Sequence, residues 1–326
     1  MQQTNSVWRP SASLENLIKR AQILQTIRDF FAKRKVLEVE TPLLSAATIT
    51  APVLQSFSTR YTGPGSVDGK TLYLQTSPEF AMKRLLAAGM GPIYQICKAF
   101  RNDELGRRHN PEFTMLEWYR PGFDHHDLMT EMDELLNLIL ECGSAERLTY
   151  QEVFLRHAKI DPHHSTIEDL RRCAKTHGIN IVDLELNDKD GWLDLLMSHV
   201  VEPQLGKTSP CFVYHYPASQ AALAKISPGN PPLAERFEVY IQGMELANGF
   251  HELSDAKEQQ RRFLAELQER EQLGLAGVPI DHNLIAALES GIPNCAGVAL
   301  GIDRLVMLAC KAASLQEVIS FSIDRA

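Results

Sequence analysis

Two charged segments, far apart in the chain, constrain this sequence more than any other feature. The first begins Phe-Arg-Asn-Asp-Glu and spans residues 100–113, and the second reads Gly-Val-Ala-Leu-Gly-Ile-Asp-Arg and spans residues 297–304. Each segment places an arginine beside a carboxylate, and a guanidinium both matches phosphate oxygens bidentately and stacks on flat rings. The two segments together therefore indicate a site for a nucleoside triphosphate, with Phe113 as a second stacking surface.

The composition of the chain is that of an ordinary globular protein. Its 326 residues are enough for one large domain or two small ones, and 44% of them are hydrophobic and 23% charged. The net charge of −8 offers no broad basic surface for nucleic-acid phosphates, which argues mildly against an RNA substrate. The six scattered cysteines include no C-x-x-C pair, so we interpret them as free thiols and not as zinc ligands or disulfides.

No segment of the sequence has the pattern of a targeting or membrane-spanning element. The first ten residues are polar and lack the apolar stretch of a signal peptide. No apolar run approaches the roughly 20 residues that a bilayer requires. We therefore expect a cytoplasmic protein with no membrane association.

The spacing of apolar residues predicts an α+β fold. A helix begins after Ser13, because apolar residues recur on one face, and the following strand of residues 36–42 ends at Pro42. Residues 93–101 and 113–120 read as an antiparallel hairpin around the first charged segment. We expect a single domain over residues 1–326, a mostly antiparallel sheet flanked by helices, with a helix-rich insertion at about 143–206. The other predicted elements are strands 71–75, 212–216 and 236–242, helices 78–88, 128–140, 254–273 and 283–290, and a last strand and helix around residues 297–304.

The two charged segments resemble motifs 2 and 3 of the class II aminoacyl-tRNA synthetases. The preceding helix, strand and Pro42 resemble motif 1, which forms the dimer interface of that family. Four segments are similar to lysyl-tRNA synthetases in particular: residues 76–79, 113–119, 245–253 and 297–304. About a dozen residues precede the first predicted helix, so we expect no N-terminal anticodon-binding domain.

A free-standing catalytic domain of this kind resembles the lysyl-tRNA synthetase paralogues that modify translation elongation factor P. The resemblance implies a homodimeric enzyme that uses ATP and Mg²⁺ to activate (R)-β-lysine as its adenylate. It further implies transfer of the β-lysyl group to the ε-amino group of a lysine on elongation factor P.

Two other functions remain open. One is a minimal lysyl-tRNA synthetase that charges tRNA, although the acidic balance of the chain makes tRNA an unexpected partner. The other is a silent paralogue that binds ATP or an amino acid without reacting it. A silent paralogue is disfavoured because four residues that the family uses in catalysis are all present: Arg101, Glu245, Glu252 and Arg304.

The resemblance implies one group of residues for ATP. Arg101 is expected to bind the α-phosphate and to stabilise the charge that develops there during attack by the substrate carboxylate. Phe113 and Arg304 are expected to enclose the adenine, Asp103 to accept from its amino group, and His109 to lie near the leaving pyrophosphate. The implied set comprises the catalytic residues Arg101, Glu245 and Arg304, the further ATP-binding residues Asn102, Asp103, His109, Phe113, Leu246 and Gly301, and the Mg²⁺ ligands Glu245 and Glu252.

The same resemblance implies a second group for the amino-acid substrate, whose two ammonium groups need carboxylates. Glu79 is expected to bind the amine nearer the reacting carboxylate. Glu117 and Tyr119 lie at i and i+2, so on a strand both face one side, and with Glu252 they are expected to bind the distal ammonium. An ordinary solvated position is the alternative for Glu117. The implied set is Ser77, Pro78, Glu79, Glu117, Tyr119, Asn248, Glu252 and Ala299.

Ala299 departs from the lysyl-tRNA synthetases, which typically have glycine at this position of motif 3. Its methyl group is expected to crowd the pocket near the substrate amine. We hypothesise that it disfavours α-lysine and suits an amine on the β-carbon. Neutral drift is the alternative.

Two pairs of adjacent histidines, His125-His126 and His163-His164, lie outside these motifs. Neither pair has an i, i+4 partner or a nearby cysteine, which are the spacings typical of zinc ligands. We interpret them as surface residues and not as ligands.

Overall fold

The computed structural model of the protein describes residues 8–66, 68–182, 184 and 186–326. The first seven residues of the polar N-terminal segment lie outside this description. The helices are α1 (Leu14–Lys33), α2 (Glu79–Ala87), α3 (His125–Leu140), α4 (Tyr150–Val153), α5 (Ile167–Thr176), α6 (Lys189–Leu196), α7 (Ala256–Gln272), α8 (His282–Ser290) and α9 (Ile302–Ala309). The strands are β1 (Leu37–Glu38), β2 (Leu44–Ser45), β3 (Ser58–Tyr61), β4 (Lys70–Leu74), β5 (Ile93–Phe100), β6 (Glu112–Pro121), β7 (Glu146–Thr149), β8 (Cys211–Pro217), β9 (Ile226–Ser227), β10 (Leu233–Tyr240), β11 (Glu245–His251) and β12 (Cys295–Gly301).

The described chain divides into two compact units. The first unit contains the residues up to Pro121, Ser254–Asn294 and Ala299–Ala326, and the second contains Gly122–Leu253 and Cys295–Val298. Mostly antiparallel strands flanked by helices make the fold α+β, as predicted. The single-domain organisation remains a prediction. All six cysteines are free, in agreement with the sequence analysis.

In the first unit, the predicted hairpin and the predicted first helix are both present. Strands β5 and β6 pair antiparallel from Ile93 opposite Tyr119 to Phe100 opposite Glu112. Helix α1 begins where the Ser13 side chain accepts a hydrogen bond from the Asn16 N–H at 3.2 Å. Its apolar face reaches the sheet through Phe31, whose ring stacks on Tyr94 with centroids 4.5 Å apart. A second, smaller sheet has the order β2-β4-β3.

The strand predicted over residues 36–42 is wrong in length. Only Leu37 and Glu38 form β1, which pairs parallel with Ile93 and Tyr94 of β5. The chain leaves the sheet after the Val39 N–H donates to the Tyr94 carbonyl at 2.8 Å. The alternation of apolar residues continues further than the pairing, so the sequence pattern overestimated the strand.

A buried carboxylate, Asp303, fastens helix α9 to the rest of the first unit. It accepts from the Thr114 backbone N–H at 2.8 Å and forms an ion pair with Arg20 of α1 at 2.6 Å. Arg20 also donates to the Thr114 hydroxyl at 2.8 Å. These three groups join α1, β6 and α9 at the base of the second charged segment.

Asp303→Ala is expected to lower the free energy of unfolding by about 3–5 kcal/mol, because it removes the carboxylate that pairs with the largely buried Arg20 guanidinium and leaves the Thr114 N–H without its acceptor. Equilibrium urea denaturation measures this change. The matched control is Arg28→Ala, which breaks an ion pair to Glu38 whose side chains are 42% and 40% exposed. That variant should change stability by less than about 1 kcal/mol. Equal effects of the two substitutions would contradict the assignment.

The second unit contains a sheet of order β11-β10-β8-β7, in which β7 pairs parallel with β8 and the other neighbours are antiparallel. The helix-rich stretch predicted at about 143–206 contains α4, α5, α6 and the irregular turns that extend α4 and α6, and its being an insertion remains a prediction. Phe154, Trp192 and Leu196 of this stretch pack in an apolar core that also includes Val213 of β8 and Ala234 of β10. Strand β11 was not predicted, because its polar residues and Gly249 have low strand propensity.

Candidate active site

The β5–β6 hairpin positions Arg101, the first predicted catalytic residue. Arg101 follows directly after β5, and its backbone N–H donates to the Pro111 carbonyl at 2.9 Å. Its guanidinium forms an ion pair with Glu104 at 3.0 Å and lies 5.1 Å from the centre of the Phe113 ring. Arg101 and Phe113 are therefore brought together, as an arrangement for a phosphate beside a stacked base requires. Glu104, which the sequence analysis did not single out, is the ion-pair partner of this arginine.

The other predicted residues of this loop lie at its exposed surface. The Asn102 backbone N–H donates to the Gln55 carbonyl at 2.9 Å, and the side chains of Asn102 and Asp103 are exposed. This exposure leaves both side chains accessible to a nucleotide. Their contacts with adenine remain a prediction.

His109 and Arg304 contact each other directly. The Arg304 guanidinium donates to His109 Nε2 at 2.6 Å and to the Arg108 carbonyl at 3.3 Å. The backbone provides this arrangement because Arg304 lies in the first turn of α9, whose N-cap is Gly301. The pKa of His109 is lowered, first by loss of water around the ring and then by the charge of Arg304. A neutral ring can accept this hydrogen bond, and a protonated ring cannot.

Arg304→Ala is expected to raise the pKa of His109, because one of the groups that lower it is removed. The titration midpoint of the His109 ring, followed by NMR with isotope-labelled histidine, measures this shift. In the folded parent, the His109 ring stays neutral as the pH falls to about 6.5, because its pKa is lowered. The same histidine in the unfolded chain takes up a proton near that pH. The contribution of this group to stability is therefore lost as the pH falls below about 6.5. Histidines of the second unit provide the internal reference, and an unmoved His109 midpoint would contradict the assignment.

A buried carboxylate, Glu117, connects the predicted substrate residues of β6 and the α2 region. Its side chain accepts from the Ser77 hydroxyl at 2.8 Å and from the Tyr119 hydroxyl at 2.6 Å. Glu117 and Tyr119 are each 2% exposed, so the solvated alternative for Glu117 is wrong. Burial and the negative charge of Glu117 raise the pKa of Cys97 to about 12. A buried carboxylate fixed by two hydroxyl donors is well suited to a cationic ligand.

Glu79 lies at the first position of α2 and already has a cationic partner. Its Oε1 atom accepts from Lys83 Nζ at 2.6 Å, and Lys83 is 1% exposed. The Ser77 hydroxyl accepts from the Glu79 backbone N–H at 3.0 Å, and Pro78 is the N-cap of the helix. The sequence analysis missed Lys83, although its i, i+4 spacing from Glu79 is the signal of such a pair.

A cavity of about 130 Å³ opens beside these residues within the first unit. Ser77, Pro78 and Glu79 line it together with polar and charged groups from other elements. Among those groups are Thr48, Arg84 and Asp281. The cavity gives Ser77 and Glu79 access to a small polar ligand.

In the second unit, an irregularity in β11 sets the direction of Glu245. Val239 of β10 pairs with Ala247, but the next residue, Tyr240, pairs with Glu245, so Leu246 is an extra residue in β11. Directly opposed residues of an antiparallel pair face the same side. Glu245 therefore faces the same side of the sheet as Tyr240. Glu238 lies two residues before Tyr240 in β10 and opposite Asn248, so both of these residues face that side as well.

The polar groups of this face are held by one another. Arg236 donates to the Asn248 side chain at 3.3 Å and forms an ion pair with Glu238. Glu238 also accepts from the Tyr216 hydroxyl at 2.6 Å and from the Tyr240 hydroxyl. Of the residues predicted here, Glu245, Asn248 and Glu252 share this face, and Leu246 is the bulge. Glu252 follows β11 and is 3% exposed.

A further carboxylate, Glu238, lies near the predicted Mg²⁺ ligands. Glu238, which the sequence analysis missed, is on the same face beside Glu245, and the alternation of Arg236, Glu238 and Tyr240 is the signal that points to it. The binding of one Mg²⁺ ion by Glu245 and Glu252 remains a prediction.

The interpretation of His125-His126 as surface residues is wrong for His125, which is 5% exposed. The pair begins α3, where the helix packs on the sheet, and adjacent histidines give no sequence signal of that packing. His164 is exposed, as expected, and His163 is half-buried.

The sequence-family model of the class II tRNA synthetases for aspartate, lysine and asparagine (D, K and N) matches residues 3–325 of the chain. The chain belongs to the class II aminoacyl-tRNA synthetase family. It is 55% identical over 326 residues to a protein of Pectobacterium atrosepticum, covering 100% of both chains. It is 57% identical over 322 residues to a protein of Salmonella typhi, covering 98% of this chain and 99% of that one. Both relatives are named elongation factor P–(R)-β-lysine ligase.

Proposed function

We propose that the protein is an ATP-dependent ligase that activates (R)-β-lysine as its adenylate and transfers the β-lysyl group to elongation factor P. The observation that carries the substrate assignment is the buried Glu117 carboxylate, fixed by Ser77 and Tyr119 as a receptor for an ammonium group. The acceptor is supported by full-length relatives at 55–57% identity that are named for this reaction.

The proposed role of Arg101 is to exchange its contact with Glu104 for oxygens of the ATP α-phosphate. The guanidinium then offsets the negative charge that develops as the substrate carboxylate attacks. Phe113 provides a face for the adenine, and Arg304 with His109 lies near the departing pyrophosphate. Backbone groups of Leu246 and Gly301 line the ribose and phosphates, and Asn102 and Asp103 contact the adenine.

Glu245 is the proposed protein ligand of the Mg²⁺ ion that accompanies ATP. The ion, when bound, neutralises phosphate oxygens as a Lewis acid. Glu238 is a second carboxylate on the same face, and its contacts with Tyr216 and Arg236 fix its position. Glu252 is the proposed second ligand of this ion, in addition to its proposed contact with the substrate ammonium.

The substrate amines have separate proposed receptors. Glu117, Tyr119 and Glu252 bind the distal ammonium, and Ser77 with the Glu79 oxygen that does not face Lys83 binds the amine nearer the carboxylate. Asn248, oriented by Arg236, contacts the substrate carboxylate.

In the transfer step, the ε-amine of the acceptor lysine attacks the carbonyl carbon of the adenylate. The new C–N bond replaces the C–O bond to the phosphate, AMP leaves, and the amine proton passes to solvent. An amine with a pKa near 10.4 is only about one part in 10³ deprotonated at pH 7. Docking of the acceptor must therefore remove water from this amine.

ATP–pyrophosphate exchange with (R)-β-lysine and with α-lysine, followed by mass spectrometry of elongation factor P, tests the function. We expect faster exchange with (R)-β-lysine and a mass gain of one β-lysyl group on the factor. Exchange with α-lysine alone and label on tRNA would instead identify a minimal synthetase. Absence of exchange with both amino acids would identify a silent paralogue.

Ala299→Gly is expected to move the preference from (R)-β-lysine toward α-lysine by roughly 10–200-fold, the effect of one methyl group in a pocket. Ala299 lies in β12 and is half-buried. The ratio of kcat/KM for the two amino acids measures the change. The matched control is Ala296→Gly in the same strand, which also removes one methyl group but is buried. An unchanged ratio in Ala299→Gly would support neutral drift.

We also propose that the protein forms a homodimer through the α1–β2 region, in the cytoplasm where its acceptor takes part in translation. Large apolar side chains of this region are exposed, including Ile18 at 61%, Leu37 at 51% and Leu44 at 43%. Burying such side chains in a partner surface is favourable. Among the described residues, none of the helices has the length and apolar character to cross a membrane.

A further inference from the structure

Five side chains of the second unit form a cluster that the proposed reaction does not use. His125 and His126 begin α3, His215 lies in β8, and Glu235 and His251 lie in β10 and β11. One potential ligand atom from each of His125, His126 and His215 lies within 4.8 Å of the other two. The same is true of His125, Glu235 and His251. His125 belongs to both sets.

His125 is buried without a hydrogen-bond partner. Its side chain is in the most enclosed part of the cluster, at 5% exposure, and neither ring nitrogen has a partner among the described residues. A buried polar group in this state costs free energy unless something binds it. The rings of His126, His215 and His251 surround it, with centroids 4.1, 5.4 and 6.5 Å away.

His215 has an uncommon backbone conformation for a side chain in a strand. Its φ angle is +61°, in the left-handed region, and it lies at the point where the pairing of β8 with β10 shifts between Ala234 and Phe237. Such irregularities redirect a side chain, and non-glycine residues keep this conformation where the surroundings require it. The irregularity places the His215 ring beside His125 and His126.

The cluster lies on the opposite face of the sheet from Glu245 and Asn248. His251 and Glu235 alternate with Phe250 and Arg236, which oppose each other on the face of Asn248. His251 Nδ1 contacts the Glu235 carboxylate on the other face. A ligand at the histidines is therefore separate from the proposed Mg²⁺ site at Glu245.

We propose that the cluster binds one Zn²⁺ ion through ring nitrogens of His125, His126 and His215. Neutral imidazoles are preferred ligands of Zn²⁺, and tetrahedral Zn–N bonds of about 2.0–2.1 Å require donors about 3.3 Å apart. The three donors need to approach one another by at most about 1.5 Å to reach that spacing.

The charges near the cluster are compatible with a cation. Asp124 caps α3 and accepts from the N–H groups of His126 and Asp127, which offsets the positive end of the helix. Glu235 adds a second carboxylate on the other side of His125. A neutral imidazole has one lone pair for a metal, so His125 can be a ligand in only one of the two groups at a time: with His126 and His215, or with Glu235 and His251. The set with His126 is favoured because Glu235 already contacts His251.

Equilibrium dialysis of the full-length protein against Zn²⁺ alone, after treatment with a chelator, tests the site. The bound metal is measured by atomic emission, and Co²⁺ substitution reports tetrahedral geometry through its visible absorption. We expect one Zn²⁺ per chain in the parent. His126→Ala and His215→Ala should weaken binding by more than the roughly 10–100-fold that loss of an outer-shell partner causes. His126 is exposed, so its variant should fold normally, which circular dichroism verifies.

His164→Ala is the matched control, because it removes an exposed histidine of the same unit outside the cluster. It should bind Zn²⁺ as the parent does. Parent protein without a bound equivalent of Zn²⁺, or His126→Ala with parental affinity, would overturn the proposal. Loss of binding in Glu235→Gln but not in His126→Ala would overturn the ligand set in favour of His125, Glu235 and His251.

Discussion

Arg101→Ala is expected to lower kcat for adenylate formation by about 10²–10³-fold, the usual cost of removing one group that stabilises developing charge. The guanidinium is held beside the Phe113 ring by the β5–β6 hairpin, so its position is fixed before ATP binds. The backbone hydrogen bond from the Arg101 N–H to the Pro111 carbonyl is retained in this variant, so the hairpin should persist. ATP–pyrophosphate exchange under saturating ATP measures kcat directly.

Two further variants separate the roles of charge and geometry at this position. Arg101→Lys keeps the positive charge but loses the planar fork, and it should recover only part of the activity. Arg107→Ala removes an exposed arginine of the same loop and should have kcat close to that of the parent. Equal activity of Arg101→Ala and Arg107→Ala would show that Arg101 does not stabilise the reaction.

Glu117→Gln is expected to raise the KM for (R)-β-lysine by roughly 10–150-fold, which corresponds to the loss of a charged hydrogen bond worth about 1.5–3 kcal/mol. The amide has the shape of the carboxylate and can still accept from one hydroxyl donor, so the fold should persist. The negative charge that binds the ammonium is lost. Steady-state exchange with varied (R)-β-lysine at saturating ATP measures the change, and the KM for ATP should stay nearly constant.

Glu112→Gln is the matched control for this variant, because Glu112 begins the same strand and its side chain is 49% exposed in a surface ion pair with Lys98. Its KM for (R)-β-lysine should equal that of the parent. A KM in Glu117→Gln within twofold of this control would mean, against the proposal, that the buried carboxylate only supports the fold.

The sequence predicted those elements that local patterns specify. Helix α1 follows from its apolar spacing and the cap at Ser13, and the hairpin follows from two apolar strands around a charged loop. The pattern could not show where β1 stops, because pairing ends through the path of the chain and not through a change in residue type. Strand β11 was missed because its position in the sheet compensates for its low strand propensity.

The candidate site was predictable only to the level of residue identity. The motifs pointed to Arg101, Glu117 and Arg304, but the partners that hold them come from contacts that periodicity does not encode. Glu104 on Arg101 is three residues away and was visible in principle. The hydroxyl of Ser77 on Glu117 joins residues 40 positions apart, so it depends on the tertiary fold. The burial of His125 has the same origin, which is why the sequence did not indicate it.

The extra residue at Leu246 separates the spacing of Glu245 and Asn248 along the chain from the side to which each points. Strict alternation over three positions would turn Glu245 away from Asn248, and the bulge keeps both on one face. Deleting Leu246 would leave the two residues two positions apart, so regular alternation would keep Glu245 on the face of Asn248 and Glu238 without any bulge. A relative with a shorter segment between these two residues can therefore keep the proposed metal-binding carboxylate on this face, whereas a relative of equal length must also keep the bulge.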